Sequence, residues 1–392
     1  MRAIFLILAI PLVVFSSVPM SPVYVFEGSR EYLRIDVDLS AYLSQNLLTL
    51  QDIIDIANGK EILVDKSRLE LLGNEGFMMS PQIRGLVYLG LGSRAFKIGA
   101  FGYLQSDVAF NLPKEFMRVI FGDVEYNEDM KKEFDIFRGG VYAKSGGTFG
   151  WKMGNLSLAV SGGAYLPLVI FTKDSTALFE YHSSLSEGKV EAKIAGNVRL
   201  LSALSSFSNV DTSKVVDSLG YYADVGAVLD LGRLKIGGGI NGITISPAKV
   251  SYEGSMKISW EASLVNLELN QKGPDYEISN ELRSIPPEDA PLPMEYVAFA
   301  SYDLGGLELS GRLAGGGKSN KYGFGLSLWK LLTFDFETLG KGMWKKSVQL
   351  DIDFRSVRMS AEIGVVDTGG LLNFDTDKMT GLTVYMGMSM GW

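Results

Sequence analysis

The sequence has no cysteine and a single histidine, His182. Without cysteine there is no disulfide framework, no thiolate nucleophile and no thiolate metal ligand. One histidine leaves most zinc sites without their imidazoles and leaves histidine-dependent catalysis little to work with. The expectation is therefore no enzyme, no cofactor and no metal site. Lys and Arg form no basic cluster, and the formal net charge is −8. That balance argues against nucleic acid as a partner, because phosphate binding needs clustered cations. Past the first residues, no apolar run approaches the roughly 20 residues that a membrane-spanning helix requires. Proline is scarce too, at 12 of 392 residues.

Glycine is plentiful, with 45 residues against an expectation of roughly 7% of a chain. Glycine weakens helices and lets strands bend or approach closely. Together with abundant aromatics it leans the chain towards β structure. The first residues read as a secretory signal. Arg2 supplies the positive region, Ala3 to Phe15 is apolar apart from Pro11, and small residues follow. Residues 1–16 are assigned to this signal, with cleavage near Ser16.

Residues 17–80 carry little alternation. Glu31 to Ser40 is the exception, with Leu33, Ile35, Val37 and Leu39 set against Arg34, Asp36 and Asp38. Thr49 and Asp52 have the spacing of a helix-capping pair, and Ile53, Ile54 and Ile56 make a short apolar face before Gly59. This segment is expected to act either as a plug in the barrel described next or as its first strand.

From residue 81 to 392 apolar and polar residues alternate in segment after segment. Examples are Leu156, Leu158 and Val160; Tyr221, Ala223 and Val225; Val348, Leu350 and Ile352; and Met359, Ala361 and Ile363. Period-2 alternation marks strands with one apolar and one polar face. A soluble sandwich turns the apolar face inward and a membrane barrel turns it outward. Segments of about 10 residues suit a tilted membrane-crossing strand. The fold class expected is all-β: a transmembrane antiparallel β-barrel of about 14 strands, within roughly 12–16, with short helical insertions. One insertion begins at Pro113, with Asn111 upstream as a capping candidate. Another covers Asp211 to Leu219, and Gln271 to Leu292 reads as a long loop because of its prolines and acids.

The last residues give the sharpest signal. Leu382, Val384, Met386, Met388, Met390 and Trp392 occupy every second position, and the chain stops on that aromatic. A terminal edge strand with such a stripe would aggregate in a soluble protein. In a barrel it closes against the first strand and turns the stripe to lipid. The expected location is the outer membrane of a diderm bacterium, with outer-membrane lipid and the barrel-assembly machinery as partners.

The chain resembles the long-chain fatty-acid-transporter-like superfamily of outer-membrane barrels, in its poorly characterised branches. Gly220-Tyr221-Tyr222-Ala223-Asp224-Val225-Gly226 carries the likeness, as do the partner segment Leu234 to Pro247, the Leu50 to Lys60 helix and Asn111-Leu112-Pro113. The resemblance implies a 14-stranded barrel with an N-terminal segment able to plug it. No residue-level match to a fatty-acid pocket accompanies it.

Other motifs carry less. Gly90-Leu91-Gly92-Ser93-Arg94-Ala95 has the lettering of a dinucleotide loop, but alternating residues follow it where that motif needs a helix. Gly317-Lys318-Ser319 lacks the upstream glycine of a phosphate loop, since Arg312 stands there. Both read as hairpin turns. His182 beside Ser183 and Ser184 reads as a solvated loop histidine. Asp351, Asp353, Arg355, Arg358 and Glu362 alternate on neighbouring strands and should share one side of the sheet, either as a salt-bridged lumen wall or as a charged constriction. Trp151, Trp260, Trp329 and Trp392 are expected at the membrane interfaces and Trp344 in a loop. Two functions follow. One is passage of a small solute, a hydrophobic one included. The other is a scaffold barrel with a closed lumen that anchors an envelope layer or assists secretion.

Overall fold

The computed structural model describes residues 33–60, 68, 69, 72, 76–93, 95–125, 127–206, 212–265, 268–278, 282–316, 319–340, 343–354, 356–367 and 379–391. The signal assigned to residues 1–16 lies outside them, as do Arg355 and Trp392.

In chain order the strands that build the wall are β1 (Leu33–Gln45), β2 (Phe77–Gly92), β3 (Phe96–Leu112), then, after the short β4 (Asp129–Asp135), β5 (Phe137–Met153) and β6 (Leu156–Phe171). Next come β7 (Thr176–Ser184), β8 (Lys189–Ser202), β9 (Gly220–Asp230), β10 (Leu234–Ser246), β11 (Ala248–Val265), β12 (Glu268–Ile278) and β13 (Arg283–Ala290). The series ends with β14 (Glu295–Asp303), β15 (Leu307–Gly316), β16 (Ser319–Leu328), β17 (Leu332–Gly340), β18 (Met343–Phe354), β19 (Val357–Asp367) and β20 (Met379–Gly391). Among the described residues three short helices stand between strands: α1 (Leu50–Ala57), α2 (Lys114–Ile120) and α3 (Thr212–Ser218).

Antiparallel pairing runs β1-β2-β3-β5-β6-β9-β10-β14-β15-β16-β17-β18-β19-β20 and returns to β1, a closed ring of 14 strands. The closing seam sets Arg34 opposite Gly391 and Leu43 opposite Leu382. Within the alternating run Glu31 to Ser40, the described residues from Leu33 on belong to a wall strand. The described wall begins at Leu33 rather than near residue 81, and the described residues of 33–80 divide among β1, the β1–β2 connection and the start of β2.

Alternation sets the two faces of the wall. Val37, Leu39, Val87, Leu89, Ile98, Phe149, Val160, Val225, Leu350, Ile363 and Met386 are exposed and share the outward parity. In water such a belt would be far larger than the apolar patches soluble proteins tolerate, so its solvent is lipid. Arg34, Asp36, Leu86, Tyr88, Tyr103, Tyr165, Tyr222 and Glu362 hold the inward parity and are buried.

Both termini of the wall lie at one rim, with the short turns β2–β3, β5–β6, β9–β10, β14–β15, β16–β17 and β18–β19. In outer-membrane barrels short turns face the periplasm and long loops face outward. Of the stretch Gly90 to Ala95, Gly90 to Gly92 end β2 and Ser93 and Ala95 lie at the β2–β3 turn. In the β16–β17 turn Trp329 and Lys330 both take left-handed φ, 50° and 57°, the hand that suits a two-residue hairpin. Backbone bonds from turn to turn stitch this rim, for example Lys152 N–H to Ala95 O and Asp303 N–H to Arg233 O.

At the other rim the long connections build a canopy. Strands β4, β7, β8, β11 and β12 or β13 pair in that order outside the ring. The canopy has its own apolar core: Phe179, Tyr181, Ile194 and Val198, with Phe116 of α2 and Trp260 packed against them. The Gln271 to Leu292 stretch is therefore not a plain loop, because β12 and β13 occupy most of it. Its prolines are tolerated because they lie at the sheet edge, where an absent N–H breaks no interior ladder.

Candidate functional site

The lumen wall divides into two halves. The first is aromatic. Leu86, Tyr88, Phe101, Tyr103, Tyr142, Ala159, Tyr165 and Tyr222, from the contiguous strands β2, β3, β5, β6 and β9, form one buried cluster that also takes in Ala248 and Leu292. Two cross-strand rows organise it. One runs Leu86, Tyr103, Lys144, Tyr165, Gly220, and the next Tyr88, Phe101, Gly146, Gly163, Tyr222. In the second row two adjacent strands carry no side chain. A Cβ on Gly146 or Gly163 would collide with the backbone of the facing strand, so glycine is required at both. A shallow hollow of about 500 Å³ lies on the outward side of the same strands, among Phe149, Val160, Tyr221 and Ile245.

Tyr165 ties this half to the canopy. Its hydroxyl donates to Ala290 O at 2.8 Å and accepts from Ala248 N–H at 3.0 Å. Leu292 N–H donates to Thr244 Oγ1 at 3.1 Å. The linker from Ala290 to Met294 is thereby held against the mouth of the aromatic half, with Leu292 buried among its rings. The bulge at Asn241 and Gly242 helps to shape this mouth, since Gly242 (φ 75°) donates its N–H to Asp224 Oδ1 at 2.6 Å.

The second half, from β15 through β20 to β1, is charged and paired. Arg312 holds Asp335 at 2.6 Å and Glu337 at 2.7 Å. Lys345 meets Glu362 at 2.5 Å with both buried, and Arg34 meets Asp36 at 2.7 Å. Tyr385 Oη donates to Asp38 Oδ1 at 3.2 Å. Buried ions need partners of this quality, because an isolated charge there carries a desolvation penalty of several kcal/mol.

The charges expected to share one face fall as follows. Asp351 accepts from Ser360 Oγ at 2.5 Å and from Gln349 Nε2, and pairs with Arg358 at 3.3 Å. Glu362 lies on the same inward face but pairs with Lys345, a partner the alternation did not suggest. Asp353 stands opposite Arg358 near the periplasmic turn and is exposed. On β20, Leu382, Val384, Met386, Met388 and Met390 share the outward parity, with Met386 58% exposed, while Tyr385 points to Asp38.

The N-terminal charges find neighbours of their own. Thr49 and Asp52 form the capping pair, with Thr49 N–H donating to Asp52 Oδ2 at 2.7 Å and Asp52 N–H to Thr49 Oγ1 at 3.2 Å. Asp52 also pairs with Arg68, and Asp55 with Lys60. Helix α1 therefore belongs to the connection at the canopy rim, and its charges do not meet Arg358.

The canopy presents a charged face to solvent. Lys131, Glu180, Lys193 and Glu261 stand in one cross-strand row of alternating sign, with Lys131 and Glu180 paired at 2.7 Å. His182 is on β7 rather than in a loop, and its Nδ1 lies 2.6 Å from Asp129 Oδ1. At the start of β4, Glu128 is held below the usual carboxylate range by the Glu125 N–H and then by Arg118 at 2.9 Å. Trp260 sits in the canopy core against Phe116, so it is no interface residue. Trp344 belongs to β18, not a loop, and packs on the outward-facing Phe324. Among the described residues no group of three or more His, Asp or Glu is placed to hold a metal ion.

Inward-facing aromatics were the signal that alternation offered and reasoning from apolar rows passed over. Tyr222 falls on the face of Asp224, not that of Tyr221. Tyr88, Tyr103 and Tyr165 likewise occupy positions where a wet lumen would carry polar residues.

A closed antiparallel ring with an apolar outer belt and a polar and aromatic interior defines the class: this chain is an outer-membrane β-barrel. No protein-family model and no curated protein matches it. Among solved structures it is similar to the toluene transporter TodX of P. putida, at 8% identity and a TM-score of 0.40, over 95% of this chain and 93% of that one. It is also similar to the translocator domain of the autotransporter NalP from Neisseria meningitidis, at 9% identity and a TM-score of 0.31, over 94% and 92% of the two chains. A third likeness is to outer membrane phospholipase A from Escherichia coli, at 10% identity and a TM-score of 0.21, over 91% and 90%. Similarities this loose identify no relative, and the class rests on the geometry.

Proposed function

We propose that the chain is a passage barrel for a small, largely apolar solute and has no catalytic role. The observation that carries this reading is the buried aromatic half of the lumen, where Tyr88, Phe101, Tyr103, Tyr142, Tyr165 and Tyr222 stand on neighbouring strands. An ion sieve is lined by rings of charge, whereas this wall offers ring faces to an apolar surface. The resemblance to the long-chain fatty-acid-transporter-like superfamily points the same way. The Ala290 to Met294 linker is the part that must move, and the Tyr165 hydroxyl is its latch. Outer-membrane lipid and the barrel-assembly machinery are the partners that go with this reading, the latter meeting the β20 stripe from Leu382 to Met390.

The test is planar-bilayer recording of the wild type and Tyr165→Phe, together with uptake of a labelled apolar solute by native cells with and without the protein. Losing the hydroxyl leaves two buried backbone groups unsatisfied, each at about 1–3 kcal/mol, and biases the linker towards release. The variant is expected to open more often, and uptake to fall when the protein is removed. A silent variant with unchanged uptake would favour the second reading, a closed scaffold barrel that anchors an envelope layer or assists secretion. The paired charges of the other half-lumen, such as Lys345 with Glu362, support that alternative.

A further inference from the structure

The inward-facing cations Arg34, Arg312, Lys345 and Arg358 each have a carboxylate partner, and Arg84 on β2 has Asp107 at 3.6 Å. Lys144 does not. It is on β5, inward-facing and partly exposed, and among the described residues no carboxylate lies within ion-pair distance of its ammonium. The nitrogen instead sits 5.7 Å from the Tyr103 ring centroid and 5.6 Å from that of Tyr222. Asp224, Glu295 and Asp107 stand farther off, Asp224 engaged by Gly242 N–H and Asp107 by Arg84.

A second observation points to the same place. Tyr222 is 1% exposed, and among the described residues its hydroxyl has no hydrogen-bond partner. Buried polar atoms are nearly always paired, so this hydroxyl is an unused polar group in the wall beside Lys144. Beside it the Gly146–Gly163 pair leaves two strands bare, and strands lie roughly 4.8 Å apart. A flat ring approaching this floor would meet the side of Phe101, with its anionic group at Lys144.

We infer that Lys144, seated between the Tyr103 and Tyr222 rings beside the Gly146–Gly163 floor, is an anion-recognition point that makes small aromatic monocarboxylates the preferred solutes of this lumen. The inference rests on the passage reading and specifies its solute. The ammonium supplies a charge-assisted bond to the carboxylate. The rings supply offset or edge contacts to the apolar body. A neutral aromatic keeps only the second contribution. An aromatic cation would meet repulsion from Lys144.

The test is calorimetric titration of the full chain, refolded in detergent, with sodium benzoate, benzyl alcohol and benzyltrimethylammonium. Benzoate is expected to bind roughly tenfold tighter than benzyl alcohol, the scale of one hydrogen bond to a charged group. Lys144→Met should lower the benzoate-to-benzyl alcohol affinity ratio by about the same factor, and Lys144→Arg should retain the preference. Preference for the cationic probe, or a ratio unchanged in Lys144→Met, would overturn the inference. Benzyl alcohol binding without benzoate preference would remove the anion point and leave the passage reading standing, while no binding of any probe would remove both. Reversal potentials of the wild type under a KCl gradient do not depend on the variants folding: chloride preference supports Lys144, and potassium preference overturns it.

Discussion

At the residue scale, burial and parity decide what each position tolerates. Met386 and Ser389 lie on the same strand, one turned to lipid and one to the lumen. Met386 is near the middle of β20, so Met386→Arg sets a charge in hydrocarbon at about 2–4 kcal/mol. Met388 is closer to the periplasmic rim, where the same change is milder. Ser389→Arg points the charge inward and is expected to be tolerated. The shift between folded and heat-denatured gel mobility reports each outcome: the folded band should be lost for Met386→Arg and kept for Ser389→Arg. Equal tolerance would mean that the faces are reversed. The same parity makes Lys345 and Glu362 a unit, since removing one partner strands the other as a buried charge.

At the element scale, the canopy behaves as a small domain raised on the barrel. Its sheet rests on side chains that the membrane does not cover, with Phe179 at 0% exposure between Phe116 and the neighbouring strands. Phe179→Ala is expected to destabilise the canopy by about 3–5 kcal/mol through lost burial and the cavity left behind. The wall has its own ladder and lipid belt and should persist. Limited proteolysis should then cut within β7, β8 or β11 while the folded band keeps its mobility. Loss of that band would show that barrel and canopy fold as one cooperative unit. Elements differ in how far local residues announce them. The Thr49–Asp52 pair did cap a helix, because the cap is a contact within one turn. Asn111 did not cap α2, whose start is Pro113 with no side-chain cap. The β12 and β13 strands were hidden because their proline content argues against strands unless one knows that they lie at a sheet edge.

At the scale of the whole molecule, closure is the decisive event. β1 pairs with both β2 and β20, so it is the strand that turns an open sheet into a ring. Deleting residues 17–80 removes β1 with the connection after it. That variant is expected to give no folded band, since two long edges would be left unpaired in lipid. A folded barrel with raised conductance would instead return the segment to the role of a plug.

Much of this was settled by the sequence alone. Alternation every two residues dictates a two-faced strand wherever it occurs, and the apolar belt with the terminal stripe from Leu382 to Met390 dictates a lipid-facing wall, because side-chain direction in a strand is a local property. Only the tertiary structure decided which strands meet, that Glu362 pairs with Lys345 and not within its own alternating row, and that Lys144 is left between two tyrosine rings. Those outcomes depend on register between segments far apart in the chain. A one-residue slip would send every side chain to the other face, and no local pattern records which register closes the ring.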